Sequence, residues 1–176
     1  MDYFELYGLP VTFNPDLKLV KQKFYELSKK YHPDFYINES AEKQEEVLAF
    51  STLNNKAYQI LNDVQRRLPY VLELKGALVE GENYALPQDF LMEMMDVNEA
   101  LMDLQFEPDA LKLGSIKNEV ENIEMKMEKE LDMLTGVFDQ KEADEQSLLA
   151  SIKDLYYRRK YLQRIDESIV KLESQV

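Results

Sequence analysis

His32, Pro33 and Asp34 stand consecutively in a chain that has one histidine and no cysteine, and they are the residues nearest to chemistry. An imidazole two positions from a carboxylate could serve as an acid-base pair. That use requires a nucleophile, a third group to orient the base and donors for an oxyanion, and the sequence around the tripeptide provides none of them. A second use is presentation. A proline ends a helix and narrows the loop after it, a histidine just past a helix C-terminus meets the negative end of the dipole, and an aspartate on a constrained turn is held out to pair with an arginine. Lys18, Lys21, Lys23, Lys29 and Lys30 precede the tripeptide. On the plainer reading, His32 only caps a helix and the lysines only solvate one face.

Composition narrows the choices. The absence of cysteine excludes disulfides, thiolate metal sites, a cysteine nucleophile and direct thiolate ligation of an iron-sulfur cluster. A single histidine leaves no multi-histidine centre, so no metal and no cofactor is expected and no residue is assigned a catalytic role. The net charge of -13 is unevenly placed: the first 75 residues carry 10 Lys+Arg against 11 Asp+Glu, leaving 11 against 23 for the remainder. Such a surface repels phosphate backbones and anionic lipid, so neither nucleic acid nor membrane is expected as a partner. No apolar run approaches the ~18 residues of a membrane span, and Met1-Asp2-Tyr3-Phe4-Glu5 lacks a secretory signal pattern, so a cytoplasmic location is expected.

The elements that must position these residues read as helices throughout. Apolar spacing is helical, strand alternation is absent and β-branched residues are sparse, which predicts an all-α protein. Gly8-Leu9-Pro10 marks an early loop, and the stretch from Gly76 to Pro87 marks a boundary, giving 1–75, a connecting segment 76–87, and 88–176. A helix is predicted from Asn14-Pro15-Asp16, with Asn14 as N-cap, to near Tyr31. It buries Leu17, Val20, Phe24, Leu27 and Tyr31 and turns Lys18, Lys21, Tyr25 and Lys29 the other way. A second, from about Ala41 to Asn62, buries Phe50, Leu53, Ala57 and Leu61 as the antiparallel partner of the first.

Beyond the boundary three longer patterns predict a three-helix bundle: Asp89 to about Gln105, Asp109 to about Thr135 and Glu142 to about Ser174. Pro108 and the Gly136 region are expected to supply the turns. The middle helix keeps Leu113, Ile116, Val120, Ile123, Met127 and Leu134 on its stripe, and the last keeps Leu148, Ile152, Leu155, Leu162, Ile165 and Ile169. The helix from Asp89 carries two stripes: Phe90, Met94, Val97, Leu101 and Leu104 on one face, Leu91, Met95 and Met102 a third of a turn away, flanked by Met92 and Glu99. A methionine-rich face bordered by acids suits a partner surface, since thioethers adapt to shape; on periodicity alone, burial of both stripes between neighbouring helices is as good a reading.

The opening Asp2-Tyr3-Phe4-Glu5-Leu6-Tyr7-Gly8-Leu9, the loop Tyr31-His32-Pro33-Asp34 and the stretch Leu53-Asn54-Asn55-Lys56-Ala57-Tyr58-Gln59-Ile60-Leu61 together resemble a J domain. That resemblance implies that His32, Pro33, Asp34, Lys18, Lys21 and Lys29 engage the ATPase domain and linker of a seventy-kilodalton chaperone, electrostatic docking that weakens with salt. The run Phe90-Leu91-Met92-Glu93-Met94-Met95-Asp96-Val97-Asn98-Glu99-Ala100-Leu101 is similar to the corresponding helix of the HscB family, J-type co-chaperones of iron-sulfur cluster assembly. The resemblance implies a C-terminal domain that binds the scaffold protein IscU and delivers it to HscA, a DnaK-type chaperone. By position the scaffold contacts are Leu91, Met92, Met95, Asp96 and Glu99, with an exposed Tyr157 from the last helix close to Tyr161 and Arg164; the plainer reading is that Tyr157 is one of many half-exposed tyrosines.

The likeness spans nearly the whole chain, with departures. Asn98 replaces a frequent basic residue, Phe35 follows the tripeptide where lysine is frequent, and Val64 holds a usual proline position. Pro69 falls inside an expected short helix, which is therefore expected to kink or to start later. The lack of a cysteine-rich N-terminal extension points to a bacterial-type protein. A J-domain co-chaperone with another client, and a non-catalytic helical adaptor, are the alternatives.

Overall fold

The structure is a computed structural model that describes residues 1–141 and 143–175. The chain divides into two compact units, Met1–Gly76 and Ala77–Val176. Among the described residues every regular element is helical.

The first unit holds α1 (Tyr3–Tyr7), α2 (Leu17–Lys30), α3 (Ala41–Leu61) and α4 (Val64–Leu74), with a short 3-10 turn at Pro33–Tyr36. Helix α1 exists because of its ends: Asp2 and Glu5 form a reciprocal capping box, and Gly8 closes the helix at φ 64, where a side chain would be strained. Helix α2 starts later than expected. Asp16 rather than Asn14 is its N-cap, and the Asp16 carboxylate accepts the amide hydrogens of Lys18 and Leu19, which leaves Pro15 before the helix and Leu17 exposed rather than on the core row. Val20 is fully buried, and Phe24, Leu27 and Tyr31 are half-buried against α3.

Helix α3 is capped by Ser40, whose hydroxyl accepts from the Lys43 amide. It buries Val47, Asn54, Ala57 and Leu61, with Phe50 and Leu53 half-buried. Helix α4 does not start late. Asp63 caps it so that it begins at Val64, and Pro69 lies inside it. Burial of Leu68, Val71 and Leu72 on both sides of the proline offsets the hydrogen bond that Pro69 cannot donate.

The second unit holds α5 (Gln88–Phe106), α6 (Ala110–Gln140) and α7 (Glu145–Glu173), a three-helix bundle. Its core joins Phe90, Met94, Val97, Leu101 and Leu104 of α5 to Leu113 and Val120 of α6 and Leu162, Ile165, Ile169 and Leu172 of α7. Gly136 does not make a turn: α6 continues through it to Gln140, because Thr135 and Phe138 are buried on the row that Leu131 begins. A mid-helix glycine costs about 1 kcal/mol against alanine, less than the packing it would forgo by stopping there. The turn falls instead at Lys141, at φ 57. The expected start of the last helix at Glu142 lies outside the described residues; α7 begins at Glu145, capped by Asp144. There the buried row steps by threes through Leu149, Ile152 and Leu155, so Leu149 takes the core place expected of Leu148.

One carboxyl sits badly in this bundle. Glu124 Oε1 on α6 is shut off from solvent and has no hydrogen-bond partner among the described residues. Burial first, and Asp166, Glu121 and Glu128 after it, push the Glu124 carboxyl up to about 7.

Candidate functional site

The tripeptide is presented as a built corner. Helix α2 gives out at Tyr31, whose N–H donates to the Leu27 carbonyl, and His32 is extended at φ -71 and ψ 125, as a residue before proline must be. Pro33 opens the 3-10 turn, and His32 Nδ1 accepts the Asp34 N–H at 3.3 Å. The same nitrogen lies 3.6 Å from Asp34 Oδ2, but a nitrogen that accepts an amide hydrogen carries no proton of its own to offer that oxygen. Apart from this imidazole, no cationic side chain pairs with the Asp34 carboxylate among the described residues, and its side chain is 78% exposed.

The back of the loop is fastened. Tyr36 donates its hydroxyl to the Lys30 carbonyl at 2.8 Å, and Gln44 Nε2 donates to the carbonyls of Ile37 and Glu39, each at 3.0 Å. The Tyr31 and Phe50 rings pack 4.0 Å apart beneath it. On α2, Lys18, Lys21 and Lys29 are exposed around Tyr25 and pair with no carboxylate among the described residues, whereas Lys23 is 3.5 Å from Glu26.

Sequence reasoning missed what holds α2 in place. Asn54 of α3 is buried, and its Nδ2 donates to the Phe24 carbonyl and to Ser28 Oγ, both at 3.1 Å, while its Oδ1 accepts the Tyr7 hydroxyl at 2.9 Å. Burial drives the Tyr7 hydroxyl well above its ordinary value, so it remains a donor. Arg67, also buried, donates from Nε to the Phe13 carbonyl at 2.9 Å and from Nη1 to the Leu61 carbonyl at 2.6 Å. Nothing local distinguishes these two from the exposed Asn55 and Arg66 beside them.

The second candidate is the outward face of α5. Its first stripe is entirely buried, whereas Met92 and Met95 are 66% and 67% exposed, Asp96, Glu99 and Met102 are also exposed, and Leu91 is half-buried. Asn98 is committed internally, its Nδ2 donating to the Tyr161 hydroxyl at 2.9 Å. Phe90 meets the same Tyr161 ring edge-on at 5.8 Å.

Tyr161 is therefore the tyrosine of α7 that adjoins α5. Tyr157, expected to be exposed, is half-buried: its ring stacks on Tyr84 at 4.4 Å and its hydroxyl donates to Glu82 at 2.9 Å. Burial and the Glu82 carboxylate push that hydroxyl up to about 12. Lys153 Nζ is 2.9 Å from Glu82, Tyr84 donates to Asp154 at 2.6 Å, and Arg158 holds the other Asp154 oxygen at 2.7 Å. Residues 82 and 84, expected in a linker, are thus strapped to α7.

A DnaJ domain model matches residues 2–70, and a model described as the HSCB C-terminal oligomerisation domain matches residues 86–170. The chain is 38% identical over 133 residues to the co-chaperone protein HscB of Buchnera aphidicola subsp. Acyrthosiphon pisum, covering 74% of this chain and 72% of that one. The chain belongs to the HscB family. The HscB chaperone from Vibrio cholerae aligns with it at a TM-score of 0.67 and 28% identity over 99% of both chains. Human co-chaperone HscB shares the fold at a TM-score of 0.72 and 24% identity, over 100% of this chain and 84% of that one. As an HscB-family member the chain is a J-type co-chaperone. The presented corner lies within the DnaJ-domain match, and the α5 face, Tyr157 and Tyr161 lie within the HscB C-terminal match.

Proposed function

We propose that the chain stimulates ATP hydrolysis by a DnaK- or HscA-type chaperone and delivers the iron-sulfur cluster scaffold protein IscU to it. Asp34 carries the first half of this reading: an exposed carboxylate with no lysine or arginine partner among the described residues, on a loop fastened from behind, beside Lys18, Lys21 and Lys29, which pair with no carboxylate among those residues. A group held this way loses little conformational freedom on meeting an arginine, and the surrounding charge speeds encounter. His32 and Pro33 shape the turn, and Lys18, Lys21 and Lys29 steer an acidic partner surface. The scaffold would seat on Leu91, Met92 and Met95, with Asp96 and Glu99 at the rim and Tyr161 bordering the patch.

Tyr157 would contribute the exposed part of its ring, its hydroxyl being engaged by Glu82. Carrying both surfaces on one chain raises the local concentration of client at the chaperone without a new contact. The deciding experiment is steady-state ATPase activity of the cognate chaperone with and without scaffold. Asp34→Asn should abolish stimulation while the circular dichroism spectrum stays unchanged; full stimulation by that variant would remove the docking assignment.

A further inference from the structure

We infer that Phe35 and Ile37 form an apolar docking element that seats in a nonpolar depression on the ATPase partner. The inference rests on the function proposed above. Phe35 is 74% exposed and Ile37 is 68% exposed, one and three positions beyond the presented aspartate. This exposure is imposed by the fold. Tyr36, between them, points back to the Lys30 carbonyl, the Phe35 N–H donates to the His32 carbonyl at 3.1 Å, and Gln44 holds the Ile37 carbonyl, so the loop keeps the two side chains outward. The Phe35 ring meets the His32 ring edge-on, 5.8 Å away.

The His32 imidazole is flanked by both side chains, 3.6 Å from Asp34 Oδ2 and 5.8 Å from the Phe35 ring, so a partner seated on this corner is offered the carboxylate and the ring together. The occupant is thus fixed by continuity with the docking corner: the chaperone that receives Asp34, offering an apolar recess next to its arginine. The two kinds of contact respond differently to ionic strength. Lysine steering is screened by salt, whereas burial of an aromatic ring is not.

The test measures ATPase stimulation of the cognate DnaK- or HscA-type chaperone against chain concentration, at low and high salt, for wild type, Phe35→Ala, Ile37→Ser and Asp34→Asn. Phe35→Ala should raise the half-maximal concentration about tenfold at both salt levels, the loss typical of a buried aromatic anchor, with the plateau preserved. Ile37→Ser should act in the same direction and less strongly. Both variants should melt at the wild-type temperature, because the side chains they replace touch little. Unchanged half-maximal concentrations, with stimulation abolished by Asp34→Asn, would overturn the inference and leave the docking corner standing. Full stimulation by Asp34→Asn would overturn both. Sedimentation showing self-association that Phe35→Ala removes would assign the pair to a second copy of the chain and overturn the inference.

Discussion

Glu124 shows what one residue does when the fold resists its charge. Its folded-state pKa is raised from 4.5 to about 7, so the bundle favours the protonated form: that contribution is complete below about 4.5 and is lost as pH rises through about 7. Asp166 faces it from α7, with Glu121 and Glu128 on its own helix, and all three oppose ionisation. Glu124→Gln, which keeps the shape without the charge, should raise the thermal midpoint by a few degrees at pH 8, change it little at pH 5 and flatten the dependence between; identical melting profiles would remove Asp166 as its neighbour in solution. Single residues divide sharply in how readable they are. The tripeptide is legible because residue type, order and local turn chemistry suffice for it. Asn54, Arg67 and Glu124 are not, since each is decided by a segment far along the chain: Tyr7 lies 47 positions from Asn54, and Phe13 lies 54 from Arg67.

At the scale of elements, periodicity is reliable where one row is buried and fails where ends are set by packing. The buried row of α5 is the one its spacing predicts, residue for residue. The end of α6 is not, because Gly136 reads locally as a breaker while Phe138 beyond it is held in the core. The start of α2 went to Asp16 because its carboxylate reaches two amides, a choice between neighbouring cap residues that spacing alone leaves open. The methionine face gives an element-scale prediction. In calorimetry with the scaffold, Met95→Ala and Leu91→Ala should each weaken binding about tenfold, the range of central anchors at an interface. Tyr157→Ala should instead lower the thermal midpoint through loss of Glu82 and Tyr84, with a smaller effect on affinity than Tyr161→Ala. A larger affinity loss at Tyr157 than at Tyr161 would make Tyr157 the principal aromatic contact.

For the whole molecule, the proposed function requires two surfaces on one chain, and that requirement is testable with full-length chains. A mixture of Asp34→Asn and a Leu91→Ala, Met95→Ala double variant contains each surface intact, but on separate molecules. It should fail to reproduce the wild-type response to scaffold at equal concentration, because neither chain brings client and chaperone together. Complementation in trans would show that tethering is dispensable. The inward clamp on α2 has a wider consequence. Asn54 grips the backbone of that helix from inside, whereas Lys18 and Lys21 on its outer side pair with no carboxylate among the described residues. Replacing Lys18 or Lys21 should therefore leave the melting temperature of the first unit nearly unchanged, so the outer face of α2 can be altered without loosening the helices beneath it.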